Sequence, residues 1–297
     1  MGQSEKILIT GADGQLGRAL QDHAPEYVHL YPANRNKLDI TDHKAVSEAV
    51  GAIRPTWIIN AAAYTDVDQA EKEHELAFQV NADGPEYLAQ AADAVDARMV
   101  HLSTDFVFDG RKARPYGPDD EPNPINVYGE TKLAGELGVQ NVLGDRSLTL
   151  RTAWLYAEHG DNFVNTMLRL MRDRDAIQVV DDQIGTPTEA GGLARAVWSA
   201  IKRELSGTHH WTHSGTASWY DFAVAIQEEA RSCGLSTRSI DIEPVPANAY
   251  PTPAKRPACS VLDKHLTWEA LEQKAEHWRV TLRQVLQAGI KNARAHA

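Results

Sequence analysis

Cysteine is almost missing from this chain. Cys233 and Cys259 are the only two in 297 residues, too few for a disulfide framework, so a reducing cytoplasm is the expected compartment. No uninterrupted apolar run approaches the roughly 18 residues that a membrane helix requires. The opening Met1-Gly2-Gln3-Ser4-Glu5-Lys6 lacks the apolar core of a signal peptide, and Lys6 stands where a myristoylation signal has Ser or Thr, so neither export nor a lipid anchor is expected. Positive charge is scarce as well. Thirty Lys and Arg against 41 Asp and Glu give a formal charge of −11, a field that repels phosphate backbones and anionic headgroups. Nucleic acid and membrane are therefore not expected partners. What is present, 42% apolar and 24% charged residues with 20 Gly and 14 Pro, is the composition of a folded soluble chain with one large domain or two moderate ones.

Short apolar runs recur at residues 7–9, 27–31, 57–60, 99–103 and 148–150, separated mostly by stretches long enough for a helix. Residues 15–23, 42–53 (with Thr41 or Asp42 as cap) and 75–96 are the best helical segments. Such alternation predicts an α/β fold, a Rossmann-type doubly wound parallel sheet over residues 1–152. Beyond Thr152 the rhythm changes, and residues 244–257 are too proline-dense for a helix or a central strand. A smaller substrate domain is expected over residues 153–297, with loops that close over a ligand and some segments returning to the first domain.

Gly11, Gly14 and Gly17 stand three residues apart between the first strand and helix. One glycine makes the tight turn, one admits a pyrophosphate to the backbone and one lets the helix pack on the strand. Asp13, Gln15 and Leu16 complete that cofactor-binding turn, whose phosphates face the positive end of the helix dipole. About 20 residues past the first glycine, a carboxylate would hold a ribose 2′-hydroxyl. The sequence has Tyr31-Pro32-Ala33-Asn34-Arg35 there, so Arg35 is expected to meet a 2′-phosphate and NADPH to be the cofactor. The competing reading leaves Arg35 solvated, with Asp39 on the ribose or adenine side and NADH in use.

Tyr128 and Lys132 lie four residues apart and so share a helix face. A phenol is mostly protonated at neutrality and a neighbouring ammonium favours phenolate, which makes the pair a usable acid. Thr104 offers a hydroxyl at a strand end, where open α/β sheets bind ligands. With these three, the chain resembles the extended short-chain dehydrogenase/reductases and, among them, the dTDP-4-dehydrorhamnose reductase family. The resemblance runs through Gly11–Gly17, Leu38-Asp39-Ile40, residues 60–68, 103–110, 126–136, 151–156, 183–188 and 250–257, with Ser260 and Leu262-Asp263. It implies Tyr128 as proton donor, Lys132 as the group that lowers the phenol pKa and holds the nicotinamide ribose, and Thr104 as orienting hydroxyl. The implied reaction is reduction of the C4 ketone of dTDP-4-dehydro-β-L-rhamnose to dTDP-L-rhamnose, with a homodimer as the possible assembly.

The same resemblance places Ile40 and Ala61-Ala62-Ala63 on the cofactor, and Thr65, Val67, Asp105, Phe106 and Trp154 on the substrate. Gln183 and Arg256 are the candidates for the nucleotide-diphosphate end, where a guanidinium suits bidentate phosphate contact. Some relatives hold magnesium through glutamates at a dimer contact; Gln15 stands where such a glutamate is expected, so the need for magnesium stays open. His209, His210 and His213 do not add up to a zinc site: only His209 and His213 share a face of an extended segment, with no cysteine or acid to complete the set. Other readings are a reductase or NAD-retaining epimerase of another nucleotide-linked keto-sugar, and a catalytically silent subunit resembling methionine adenosyltransferase β.

Overall fold

The computed structural model describes residues 5–295; Met1 to Ser4, on which part of the leader reading falls, lie outside the described residues. The chain runs β1 (Glu5–Thr10), α1 (Gln15–Asp22), β2 (Val28–Ala33), α2 (His43–Ile53), β3 (Trp57–Asn60), α3 (Val67–Ala70), α4 (His74–Phe78), α5 (Gly84–Ala94), β4 (Arg98–Thr104), α6 (Val127–Leu143) and β5 (Ser147–Thr152). There follow β6 (Leu155–Tyr156), α7 (Phe163–Asp173), β7 (Ala176–Val180), β8 (Ile184–Gly185), β9 (Thr188–Glu189), α8 (Ala190–Lys202), β10 (Gly207–His210), β11 (Ala217–Ser218), α9 (Trp219–Ser232), β12 (Asp241–Val245), α10 (His265–Leu271) and α11 (Trp278–Ala295).

Six parallel strands form one sheet in the order β10-β5-β4-β3-β1-β2. Strand alternation divides the core between two faces: Ile7 and Ile9 pack with Leu20, Leu193 and Val197 on one, Leu8 with Val46, Leu88 and Val139 on the other. Helices cover both faces, so this is the doubly wound sheet that the alternation of runs implies. The strand order reverses between β1 and β3, which opens a crevice at their carboxyl ends. After leaving the sheet at β5, the chain returns to it: α8 packs on α1 and β10 lies beside β5. The other core gathers α7, α9 and α11 around Tyr156, Phe222 and Trp278. Pro244 sits in β12, a strand paired on one side only with β7, where its missing N–H is tolerated.

The helix expected over residues 75–96 is not regular. A π-turn over Gln79–Asp83 joins α4 to α5. Pro85 has no N–H to offer the Asn81 carbonyl one turn earlier, and a β-carbon on Gly135 of α6 would stand 2.1 Å from that carbonyl oxygen. The irregular turn directs the Asn81 side chain inward, where it accepts from the Tyr64 amide and donates to the Tyr64 carbonyl and the Thr131 hydroxyl. Asn81 thereby ties the loop after β3 to α6. Its signal in the sequence is Pro85 inside an otherwise helical pattern. At α2 the expected Asp42 is the cap, accepting from the Ala45 amide at 3.0 Å.

Four imidazoles are buried, and burial lowers the pKa of each, His209 among them. Burial, with the Lys132 charge, holds His101 well below its ordinary value; burial, with Arg151, lowers His210 to about 3, and burial lowers His213 to about 4. The unfolded chain takes protons at about 6.5 that the fold refuses, so this stability is complete above that pH and drains as pH falls through it. Each group contributes up to about 1.4 kcal/mol per pH unit. Thermal melts should therefore show a Tm that drops by several degrees from pH 7 to pH 5; a level or rising Tm contradicts the burial of neutral imidazoles.

Candidate active site

A cavity of about 940 Å³ opens at the carboxyl ends of β1, β3 and β4. Its floor is the glycine turn. Gly11 has φ +66°, and a β-carbon there would stand 2.6 Å from the Ala61–Ala62 backbone, so the turn lies directly against the end of β3. Gly14 caps α1, with its N–H on the Gly11 carbonyl at 3.0 Å. Gly17 does not line the cavity: a side chain there would meet the Gly11 oxygen at 2.2 Å, which makes it the helix-packing glycine. Buried Asn60 stitches the region together through Thr10, the Ala62 amide and His101. Gly11, Asp13, Gly14, Gln15, Leu16, Ala61, Ala62 and Ala63 all line the cavity. A helix N-terminus beneath backbone free of side chains fits the pyrophosphate of a dinucleotide.

Arg35, Asp39 and Ile40 form the outer rim. The two sequence readings of this end meet in one ion pair, Arg35 Nε to Asp39 Oδ2 at 3.7 Å, with Arg35 exposed. The Thr41 amide and hydroxyl, helped by Arg35, hold Asp39 below the usual carboxylate range. Asn34 donates to Asp13 at 2.6 Å, which fixes the carboxylate inside the turn.

Asn126 caps α6 by accepting from the Gly129 amide, which places Tyr128 and Lys132 on the cavity wall opposite Thr104 and Asp105 at the end of β4. Burial pushes the Tyr128 phenol up to about 12; the Thr104 hydroxyl pulls against this and the Asp105 carboxylate adds to it. Lys132 is 2% exposed and donates to the Leu102 carbonyl at 2.6 Å. Burial brings its own pKa down to about 8, with Glu136 opposing. The depression of the phenol by Lys132, expected from their spacing, is thus not found: the ammonium is committed to the β4 carbonyl, and burial raises the phenol instead. Beneath these residues Glu136 accepts from Ser103 and, bidentately, from Arg151 at 2.6 and 2.9 Å.

On the far side Thr65, Val67, Phe106, Trp154 and Arg256 line the cavity. Trp154 has φ +47°, lies flat on Gly185, where a β-carbon would meet the ring at 2.4 Å, and stacks on Trp219 at 3.4 Å and 6°. Arg256 is not free: it makes a bidentate pair with Asp68 at 2.8 and 3.1 Å. Gln183 is a correction, because it is not among the lining residues. It precedes β8, which is held between β11 and Cys259, and that pairing keeps Gln183 out of the cavity. Sequence reasoning missed Tyr64, His159 and Trp219 as lining residues. Tyr64 sits inside a motif already singled out; the other two follow strands too short to show a pattern.

Gln15 accepts from Asn162 at 2.8 Å, which ties the 157–162 loop to the cofactor turn. The three histidines go to separate partners: His209 to Thr267, His210 to the Tyr116 carbonyl and Arg151, and His213 to the Glu276 carbonyl. Among the described residues no group of three or more metal-ligating side chains gathers, and no helix is long and apolar enough to cross a membrane.

Residues 5–290 match the family described as RmlD substrate binding domain. The chain is 40% identical to the dTDP-4-dehydrorhamnose reductase of Escherichia coli K12 over 289 residues, 94% of this chain and 96% of that one. It is 38% identical to the spore coat polysaccharide biosynthesis protein SpsK of Bacillus subtilis, covering 95% and 97%. Its structure superposes with a TM-score of 0.90 on the dTDP-4-dehydrorhamnose reductase of Bacillus anthracis, solved in complex with NADP, at 38% identity over 95% of this chain and 98% of that one. The chain belongs to the RmlD family, that of the dTDP-4-dehydrorhamnose reductases.

Proposed function

We propose that this chain reduces the C4 ketone of dTDP-4-dehydro-β-L-rhamnose with NADPH, giving dTDP-L-rhamnose, the final step in making an activated rhamnose for polysaccharide synthesis. One observation carries the reading: a single cavity joins a dinucleotide turn, the Thr104, Tyr128 and Lys132 trio, and a wall of Trp154, Trp219 and Arg256. The pyridine dinucleotide supplies the hydride when bound. The chain's own residues supply position and proton. Tyr128 keeps its proton across the physiological range and is the group to deliver it to the oxygen of the ketone as charge develops there. Thr104 orients that oxygen. Lys132 is read as the group that holds the nicotinamide ribose. Incubation with the keto-sugar made in situ should consume NADPH and give dTDP-L-rhamnose by NMR; tight copurification of oxidised cofactor without net reduction would instead mark an epimerase.

Arg35 is read as the partner of the 2′-phosphate. NADPH should bind more tightly than NADH, and Arg35→Ala should weaken NADPH about fivefold, the ~1 kcal/mol of an exposed ion pair, with NADH unaffected. Tighter NADH binding by the parent protein would remove the role. Arg256 is read as the diphosphate contact, exchanging its Asp68 partner for phosphate. Arg256→Ala should raise the KM for the dTDP-sugar about tenfold or more, with a smaller change in kcat; an unchanged KM would refute it. The cytoplasm remains our proposed location, supported by Cys233 and Cys259 being free thiols. A homodimer is part of the same proposal.

A further inference from the structure

Asp105 is the buried ionisable group in the cavity that the mechanism above leaves unused. It is 2% exposed and follows the last residue of β4. Its Oδ1 accepts the Thr104 hydroxyl at 3.1 Å and its Oδ2 accepts the Ser260 hydroxyl. Thr104 Oγ1 also accepts the Phe106 amide at 3.2 Å, and the Thr104 hydroxyl acts on the Tyr128 phenol to lower its pKa against burial.

A hydroxyl has one proton and two acceptor sites, and a carboxylate can only accept. With Asp105 ionised, Thr104 gives its proton to Oδ1 while accepting the Phe106 N–H. No proton is then left for a ketone oxygen. With Oδ1 protonated, the bond reverses: Asp105 donates to Thr104 and fills one acceptor site. The Thr104 proton is then released toward the cavity, where Tyr128 also lies. Ser260 donates to Oδ2 and so keeps the carboxyl proton on the Thr104 side.

We propose that Asp105 is a positioning residue whose protonated form turns the Thr104 hydroxyl toward the ketone oxygen, with Ser260 deciding which carboxyl oxygen carries the proton. The inference rests on the reading that the Thr104 hydroxyl faces the ketone. Burial pushes Asp105 up to about 7 against the hydrogen bonds from Ser260 and Thr104, so both forms exist near neutrality. The groups that face it are Thr104 on its own strand, Tyr128 from α6 with Lys132 one turn beyond, and Ser260 from the segment before α10. None of the cations among the described residues acts on the carboxyl to hold it down.

Two measurements test this. In the cofactor-free protein, carbon-13 NMR of labelled aspartate, with the Asp105 signal identified by its loss in D105N, should show a carboxyl titrating near 7. Titration in the ordinary carboxylate range overturns the proposal. In steady-state ketone reduction, the parent kcat should fall about tenfold from pH 6 to pH 8, as a group titrating near 7 requires. The D105N amide donates to Thr104 while its oxygen accepts from Ser260, so the ratio of kcat at pH 6 to kcat at pH 8 should shrink at least about fivefold relative to the parent. Lys132, at about 8, affects both proteins alike and cancels in that comparison. S260A removes a bond that favours the ionised form and should move the limb to higher pH, which keeps the test open if D105N folds poorly. An unchanged limb in both variants overturns the proposal. A parent that reduces no ketone at any pH overturns the functional reading instead, and the carboxyl titration distinguishes that failure from this one.

Discussion

Tyr128→Phe lowers kcat for ketone reduction by about 10²- to 10⁴-fold, the range that positioned acid catalysis contributes. The substitution deletes one oxygen and keeps the ring, whose edge packs against Phe106 at 5.9 Å, so fold and cofactor affinity should hold while turnover fails. The phenol is pushed up to about 12 chiefly by burial. Its proton is present at every pH below that value and is surrendered when negative charge grows on the neighbouring oxygen. The rate of single-turnover NADPH oxidation in the presence of keto-sugar reads the step directly. Full retention of that rate would remove Tyr128 from the chemistry, whatever its place in the cavity.

Arg151→Met destabilises the fold by about 3–5 kcal/mol, because it strands Glu136 as a buried charge. Both side chains are nearly inaccessible, 5% and 6% exposed, and without Arg151 the carboxylate keeps only Ser103 as a side-chain partner. For a chain of this length, Tm should fall on the order of 10 °C. The double variant Arg151→Met with Glu136→Leu, which removes both charges, should recover most of the loss. A single variant as stable as the parent would mean that water or another cation reaches Glu136. The consequence extends to the site: Ser103 precedes Thr104 on β4, and Glu136 follows Lys132 by one turn of α6. The Ser103 bond to Glu136 therefore joins the two elements that carry the proposed trio, and Arg151 of neighbouring β5 holds that carboxylate in place.

The first half of the fold was legible because its signals are local. Apolar runs with helical stretches between them, glycines three apart and an Asx cap at Asp42 each impose a conformation through neighbours within a few residues. β10 gave no such signal. Gly207-Thr-His-His210 is polar in sequence, yet His209 and His210 are buried against β5, since Thr267 of α10 beside the first and Tyr116, Phe108 and Arg151 beside the second come from distant segments. Pro85 signals a break before α5, but the Gly135 contact that accommodates a π-turn there comes from another helix.

Residue types and spacings on their own determined the dinucleotide turn, the Tyr128 and Lys132 pairing on one helical face, and the hydroxyl at the strand end. Tertiary structure alone decided what those groups feel. Lys132 is drawn to the Leu102 carbonyl, Arg256 to Asp68, Gln183 lies outside the cavity, and Ser260 reaches Asp105 across 155 positions of chain. Spacing along a helix sets direction, but acidity and hydrogen-bond choice depend on solvent exclusion and on partners brought in from distant segments. Those quantities come into existence only when the two halves of the chain close over the crevice.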